Sequence, residues 1–294
     1  MAVTQTIYNK VAPNNVGIPA ILNTVGSYLI SMGYDPSSNS RLAIYDGVGG
    51  DASLYEWSYA YEGLGTGVPS PDGTLYVLGN NGGTYCLYEL DPTTGAAVIR
   101  GTGYVPNPGG ISNGRLFVAS GNYNLSTWTH TYQGLTWGRV PPIVVGNRVF
   151  GRTASNKLRE YTNDDLMTTV ATYTMSTWPF YFDEWSDPYR CIRDGVIWFP
   201  TNNNIWPLYG FNTATNSGVG FAPVHPLPTY SSLPVVLNPA DGYLYQVSSD
   251  RSQLYVFNID ISRVLSIDAN DSYPLSRSGV PYDGAMWFTS HVRI

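Results

Sequence analysis

The stretch Ser70–Gly95, SPDGTLYVLGNNGGTYCLYELDPTTG, contains the unit that the rest of the chain repeats. Asp72-Gly73 predicts a tight hairpin turn, because glycine adopts a positive φ at no steric cost. The apolar run Leu75–Leu78 then predicts a strand that is covered on both faces. A glycine-rich loop separates it from a second predicted strand, Tyr85–Leu90, and Asp91–Gly95 turns the chain again. The stretch therefore predicts a turn, two strands joined by a loop, and a second turn.

The composition of the 294-residue chain is typical of short strands joined by tight turns. It contains 31 Gly, 21 Pro and 24 Tyr, and no stretch has the residue spacing of a long amphipathic helix. Aromatic residues make up 14% of the chain, which is enough for a packed core and argues against intrinsic disorder. We therefore predict one all-β domain over residues 1–294.

Alignment on the turn glycine finds seven copies of the unit. Consecutive glycines are 32 to 49 residues apart, which suits four short strands in each copy. The seven glycines are Gly26, Gly73, Gly114, Gly146, Gly195, Gly242 and Gly284. Seven copies of a four-stranded antiparallel unit predict a seven-bladed β-propeller. A β-sandwich does not need this repetition, and a parallel β-helix has a shorter period.

Each copy is expected to contain an apolar strand after its glycine and a further strand after a polar loop. In the third copy this further strand is predicted at Thr127–Thr131, and in the last copy at His291–Ile294. The segment Val3–Tyr8 precedes the first copy and has the pattern of an isolated strand. We predict that this N-terminal strand joins the last blade and closes the ring, because closure removes both open sheet edges.

Two copies carry a resemblance to a known family. DGTLYVLGNNGGTYCLYELDPTTG, at 72–95, and DGYLYQVSSDRSQLYVFNID, at 241–260, resemble blades of quinoprotein-like and related bacterial members of the β-propeller superfamily. The resemblance covers nearly the whole chain and implies the propeller fold. The Trp-Asp dipeptide that marks one class of propeller is absent from the sequence, and so is the paired-glycine signature that Kelch repeats carry from blade to blade. The resemblance therefore implies no functional residue.

The charge pattern excludes several classes of partner. The net charge is −6 and only Lys10 and Lys157 are lysines, so there is no basic cluster for nucleic acid. The longest apolar runs, such as Val140–Val145, are far shorter than the roughly 20 residues of a membrane-spanning helix. The N-terminus, MAVTQTIYNK, lacks the pattern of a signal peptide. We expect neither nucleic-acid binding nor membrane insertion, and a protein that is extracellular or part of a virion.

No catalytic residue, metal site or cofactor is predicted. The three histidines, His130, His225 and His291, lie in different copies, and no nucleophile elbow, phosphate loop or His-Glu-x-x-His motif is present. Asp268–Ser272 offers oxygen ligands but lacks the glycine and the distal glutamate of an EF-hand loop. We favour a polar loop there and leave calcium binding open.

The two cysteines of the chain, Cys86 and Cys191, each lie within a predicted apolar strand. No Cys-x-x-Cys or Cys/His pair indicates a metal site. We therefore favour two buried thiols over a disulfide.

The most unusual stretch is Trp178–Tyr189, WPFYFDEWSDPY, which contains six aromatic and three acidic residues. It connects the fourth copy to the fifth and is expected on the same face of the propeller as the loop Asn202–Trp206. Flat rings beside carboxylates and amides suit a sugar or a protein anchor. The candidate binding residues are Trp178, Phe180, Tyr181, Trp185, Tyr189 and Trp206. We favour the interpretation that these rings fill the gap between two blades, and we keep a contact site for a glycan or a protein as a hypothesis.

Three functional classes remain. We favour a non-enzymatic structural or binding propeller whose partners are other structural proteins of an assembly. The alternatives are a propeller that binds a cell-surface glycan through the fifth copy, and an enzyme with a site in the central channel. The few charges, the near absence of lysine and the Asn/Ser/Thr/Tyr-rich composition are similar to those of bacteriophage and other virion proteins. This similarity implies a capsid, fibre or tail protein that mediates assembly or host attachment.

Overall fold

The computed structural model describes most of the chain. The described residues are 18–34, 40–46, 55–59, 67–81, 84–102, 107–133, 140–154, 157–175, 191–201, 203, 205–225, 227, 231, 233–268, 275, 279–282 and 285–288. Within them no helix is long and apolar enough to cross a lipid bilayer.

The chain folds as an all-β propeller with four-stranded antiparallel blades, of which the described residues form six. In every blade the strands follow each other in chain order from the innermost to the outermost. The strands of the first three blades are β1 Ile18–Val25, β2 Tyr28–Tyr34, β3 Ser40–Asp46 and β4 Tyr55–Tyr59; β5 Gly67–Pro69, β6 Leu75–Asn81, β7 Thr84–Leu90 and β8 Ala97–Thr102; and β9 Pro108–Ser112, β10 Arg115–Val118, β11 Gly121–Asn124 and β12 His130–Tyr132.

The fourth, fifth and sixth blades repeat this arrangement. Their strands are β13 Ile143–Val145, β14 Arg148–Ala154, β15 Lys157–Tyr161 and β16 Thr169–Thr174; β17 Ile192–Arg193, β18 Val196–Pro200, β19 Leu208–Asn212 and β20 Ser217–Phe221; and β21 Val235–Leu237, β22 Leu244–Val247, β23 Gln253–Asn258 and β24 Arg263–Asp268. A two-stranded sheet follows, which consists of β25 Val280–Tyr282 and β26 Ala285–Trp287. Strand β25 contacts both β21 and β1, so this sheet lies beside the sixth and the first blades.

The predicted turn glycines adopt the expected conformation wherever the structure describes them. Six of the seven have a φ between +55° and +89° and join the two innermost strands of a blade. At Gly114, for example, a Cβ would have nothing within 4 Å, so the backbone conformation and not the space requires a glycine. Gly284 lies outside the described residues, as do Val3–Tyr8 and His291–Ile294. Ring closure by the N-terminal strand therefore stays a prediction, and the predicted four-stranded seventh blade is described only as two strands.

The hydrophobic core consists of separate layers between neighbouring blades. The side chains of Val25 and Ile44 in the first blade pack with those of Leu75 and Val77 in the second. Equivalent clusters lie between all later pairs up to the sixth blade. Val280 and Trp287 of the two-stranded sheet pack against the first blade. Both cysteines are buried thiols within these layers, as predicted.

One predicted strand is wrong. The third strand of the third blade is Gly121–Asn124 and not Thr127–Thr131. Gly121 has a φ of 145°, and a Cβ there would be 2.0 Å from the Thr131 carbonyl oxygen. The conformation of Gly121 allows β11 to begin after a connection of only two residues, Ala119 and Ser120. Thr127 lies instead in a turn, where the Asn124 side-chain oxygen accepts its backbone N–H at 3.3 Å.

Candidate functional site

In chain order the aromatic segment falls between β16, the outermost strand of the fourth blade, and β17, the innermost strand of the fifth. Five of the six predicted binding residues, Trp178, Phe180, Tyr181, Trp185 and Tyr189, fall outside the described residues, so their placement is untested. The residues on either side of the segment are described. Met175 follows β16, and Cys191 precedes β17.

These two flanking residues lie on the face of the propeller that carries the loop between β18 and β19. The backbone N–H of Trp198, in the middle of β18, donates to the carbonyl oxygen of Cys191 at 2.9 Å. Because β17 runs antiparallel to β18, Cys191 lies beyond the Ile192–Ile197 pair, towards the end of β18 at which this loop begins. Met175 and Cys191 also belong to one buried cluster with Phe199. We call this side the middle-loop face. The turn glycines lie on the opposite side, which we call the turn-glycine face.

The loop that carries Trp206 is fixed by its own polar side chains. The side-chain oxygen of Asn203 accepts hydrogen bonds from the backbone N–H groups of Ile205 and Trp206, at 2.8 and 3.1 Å. The hydroxyl of Thr201 donates to the Trp206 carbonyl oxygen. The Thr201 N–H donates to the Pro207 carbonyl oxygen at 3.0 Å and closes the base of the loop. The backbone at Trp206 is therefore held before any ligand arrives.

The indole of Trp206 lies against the outermost strand of the fifth blade. A Cβ at Gly220 would be 2.6 Å from its six-membered ring, so only glycine leaves room for the ring in this position. Tyr209 packs against the same strand in the same way. A Cβ at Gly218, two residues before Gly220, would be 1.8 Å from the Tyr209 hydroxyl oxygen. We call the four residues Trp206, Tyr209, Gly218 and Gly220 the Trp206 platform.

The platform faces the fourth blade. Tyr209 pairs directly with Gly220 across the two strands, so both point to the same side of the sheet. On that side Tyr209 packs in the cluster shared with the fourth blade. Its hydroxyl donates to the Met175 carbonyl oxygen at 2.6 Å, and burial raises the pKa of the phenol. Trp206 is thus on the same side of the blade as Met175, the last described residue before the aromatic segment.

Exposure separates Trp206 from the residues of the core. Trp206 is 43% exposed and its neighbour Ile205 is 54% exposed, whereas Trp198 in the same blade is 3% exposed. Neither the loop 201–207 nor the strand Ser217–Phe221 contains a charged residue. The described part of the site is therefore an uncharged surface on which two large apolar residues, Ile205 and Trp206, are partly open to solvent.

The histidines do not form a cluster in the described part of the chain. His130 stacks on Tyr123 with a centroid distance of 4.5 Å, and burial lowers the pKa of its imidazole. His225 is exposed in the connection after the fifth blade, and His291 lies outside the described residues. Among the residues that the structure describes, no group of three His, Cys, Asp or Glu side chains is placed to hold a metal ion.

The sequence interpretation missed a set of arginines on the turn-glycine face. Arg115 in the third blade donates to Asp165 in the fourth at 3.0 and 2.8 Å. Arg193 in the fifth blade donates to Asp260 in the sixth at 2.8 and 2.7 Å. Each arginine lies within two residues of a turn glycine and reaches the outer hairpin of the next blade. These pairs join consecutive blades, and the repeated proximity of arginine to the turn glycine is the signal that would have revealed them.

Arg148 makes the corresponding contact between the fourth and fifth blades. It donates to the carboxylate of Glu160 in its own blade, to the carbonyl oxygen of Thr213 and to the side-chain oxygen of Asn216, the last at 2.8 Å. The hydrogen bonds from Arg148 hold the pKa of Glu160 below its ordinary value. The arginine contacts on the turn-glycine face therefore stabilise the ring. The loop that carries Trp206 lies on the opposite, middle-loop face.

Comparisons with known proteins support the fold alone. No protein-family model matches the chain, and no curated protein matches it in sequence. Its structure is similar to that of Sqt1 from Saccharomyces cerevisiae, with 12% identity and a TM-score of 0.52 over 90% of this chain and 79% of that chain. It is also similar to Hsv2 from Kluyveromyces lactis, with 14% identity and a TM-score of 0.54 over 79% of this chain and 70% of that chain.

A third similar structure is a quinonprotein alcohol dehydrogenase-like protein from Bacteroides thetaiotaomicron. The identity is 10% and the TM-score is 0.56, over 84% of this chain and 65% of that chain. This chain thus spans just under two thirds of that protein. At such low identities the likeness establishes the β-propeller fold and does not decide between a binding protein and an enzyme.

Proposed function

We propose that the protein is a non-enzymatic binding propeller of a virion, which mediates assembly with other structural proteins or attachment to a host surface. The observation that carries the proposal is the Trp206 platform. Trp206 stays 43% exposed there although the loop around it is fixed by hydrogen bonds. The blade thus presents an ordered, uncharged aromatic contact surface.

Preorganisation favours a binding role over simple gap filling. Trp198 shows how the fold treats a tryptophan that fills the space between blades, since only 3% of it is exposed. Trp206 instead packs against Gly220 and stays partly exposed to solvent. Ordering a side chain on binding costs about 0.5–1.5 kcal/mol, and a ring already held in place avoids much of this cost. Tryptophan is also enriched among residues that dominate binding energy.

The virion setting is supported by composition. Only 12% of the residues are charged, and Lys10 and Lys157 are the only lysines. Asn, Ser, Thr and Tyr supply most of the polar surface chemistry. This pattern is similar to that of virion decoration, fibre and tail proteins.

Two experiments test the proposal. Antibody labelling in the electron microscope should place the protein on particles from its source, at a regular position. Trp206→Ala should weaken binding of the purified protein to that particle or to host cells by about tenfold, which corresponds to about 1.4 kcal/mol. Recovery only as a free monomer that turns over small molecules would contradict the proposal.

A further inference from the structure

We propose that the Trp206 platform binds a neutral saccharide, with one sugar ring stacked on the indole of Trp206. This inference rests on the proposed binding function and names the class of ligand. The contact would use both properties of a sugar, namely the apolar C–H face of its ring and the hydroxyl groups around it. Three features of the fifth blade fit these two properties.

The first feature is the one-sided support of the indole. Gly220 lies directly against the six-membered ring of Trp206, so strand β20 covers that side of the side chain. The 43% of the residue that stays exposed therefore lies away from the strand. The indole is thus covered where it meets Gly220 and partly open to solvent elsewhere, and the π system of an open aromatic ring favours contact with polarised C–H groups.

The second feature is the backbone edge beside the ring. Strand β20 is the outermost strand of its sheet, and its first four residues, Ser217–Gly220, are all exposed. An outermost strand presents unpaired N–H and C=O groups along its outer edge. Two of the four residues are glycines, so few side chains cover this edge. Hydroxyl groups both donate and accept hydrogen bonds and can pair with either kind of backbone group.

The third feature is the absence of charge. The loop 201–207 and the strand Ser217–Phe221 contain no Asp, Glu, Lys or Arg. A charged ligand would find no opposite charge in these two segments. A neutral saccharide needs only the stacking surface and hydrogen-bonding groups. A protein partner would also use Ile205, which is 54% exposed beside Trp206, and is an outcome that the test separates.

The test begins with a printed panel of neutral and acidic oligosaccharides. A neutral oligosaccharide that binds is then titrated in solution against the parent and four variants. Trp206→Ala and Gly220→Ala should each weaken binding about tenfold or more, because the first removes the ring and the second displaces it. Val219→Thr is the matched control, since Val219 pairs with Gly210 and points to the other side of the same strand. Ile205→Ser should change saccharide binding by less than about twofold.

Treatment of whole host cells separates a glycan from a protein receptor. Mild periodate, which cleaves vicinal diols, should abolish Trp206-dependent binding of the labelled protein, and protease treatment should leave it intact. The inference is overturned if no neutral oligosaccharide binds the parent, or if Gly220→Ala and Val219→Thr bind equally well. If protease but not periodate removes binding, the partner is a protein: the saccharide inference fails while the proposed binding function stands. If Trp206→Ala binds cells like the parent, both fail.

Discussion

The guanidinium of Arg148 holds the carboxylate of Glu160 through two hydrogen bonds of 2.7 Å each. Tyr173 donates a third hydrogen bond to the same carboxylate at 2.7 Å. Because Arg148 also binds the Thr213 carbonyl oxygen and Asn216 in the next blade, this pair links the fourth blade to the fifth. It therefore supports the blade that carries the Trp206 platform from the opposite face.

Removal of Arg148 should destabilise the ring. Arg148→Met leaves the buried Glu160 carboxylate without its main partner, and we expect the free energy of unfolding to fall by about 3 kcal/mol. Urea unfolding followed by circular dichroism measures this change. Asp260→Asn is the control: the Asp260 side chain is 69% exposed, so this change leaves no buried carboxylate without a partner. Arg193, which is only 15% exposed, keeps Asp194 at 3.4 Å, and we expect a loss of about 1 kcal/mol. Equal losses in the two variants would contradict the distinction between the two contacts.

The same pair predicts how stability depends on pH. The hydrogen bonds from Arg148 lower the pKa of Glu160 from its ordinary value of 4.5. A carboxylate with a depressed pKa in the folded state stabilises the fold above its ordinary pKa, and this stability is lost as the pH falls through the lowered value. The parent should therefore lose stability below about pH 4.5.

The variant Glu160→Gln isolates this contribution. It should lose less stability than the parent between neutral pH and about pH 3, because it no longer takes up that proton. Acid loss should not vanish, since hydrogen bonds also lower the pKa values of Asp72, Asp91, Asp164 and Asp250. Parallel pH profiles of thermal unfolding for the parent and the variant would refute this assignment.

Two glycines of the third blade should differ in their tolerance of alanine. A Cβ at Gly109 would be 1.8 Å from the Pro142 carbonyl oxygen in the next blade, so the two innermost strands would have to separate. Gly109→Ala should cost about 3 kcal/mol of unfolding free energy, as expected for overpacking of a tight contact. Gly114→Ala meets nothing within 4 Å and should cost only about 1–2 kcal/mol for its positive φ. The reverse order in thermal or urea unfolding would disprove this account of inter-blade packing.

Ring closure by Val3–Tyr8 makes a separate prediction. Within the described residues β26 is the outermost strand of its two-stranded sheet, and a blade of this fold has four strands. Deletion of residues 1–8 should speed amide hydrogen exchange in Ala285–Trp287 and lower the melting temperature. Amide hydrogen exchange in the third blade, measured under conditions in which the protein does not unfold globally, serves as the internal control. Unchanged protection of β26 would show that another segment completes this blade.

Local turn chemistry explains why much of the fold follows from the sequence. A positive φ strongly favours glycine, so the turn glycines mark six hairpins that the structure describes. The wrong strand in the third blade has a local cause as well. The conformation of Gly121 shortens a loop, and composition alone did not distinguish this glycine from a loop glycine.

The missed contacts depend on residues that are distant in the sequence. Arg115 and Asp165 are 50 positions apart, and Arg193 and Asp260 are 67 apart. The position of each arginine near a turn glycine can be seen in the sequence, but its acidic partner is identified only once neighbouring blades have been aligned in space. The support of Trp206 by Gly220 was missed for a related reason, because a glycine in a strand has several explanations until the ring above it is placed. The aromatic composition of Trp178–Tyr189, by contrast, is visible directly in the sequence.

Binding through Trp206 is tested most directly by comparing the parent protein with Trp206→Ala. The quantity compared is the affinity of each protein for the particle or host cells with which the protein is recovered. Both proteins must first show the same melting temperature, which the partial exposure of Trp206 leads us to expect. If Trp206 contacts the ligand, the dissociation constant of Trp206→Ala should be about tenfold higher or more. Equal dissociation constants would show that Trp206 only fills space at the edge of the blade.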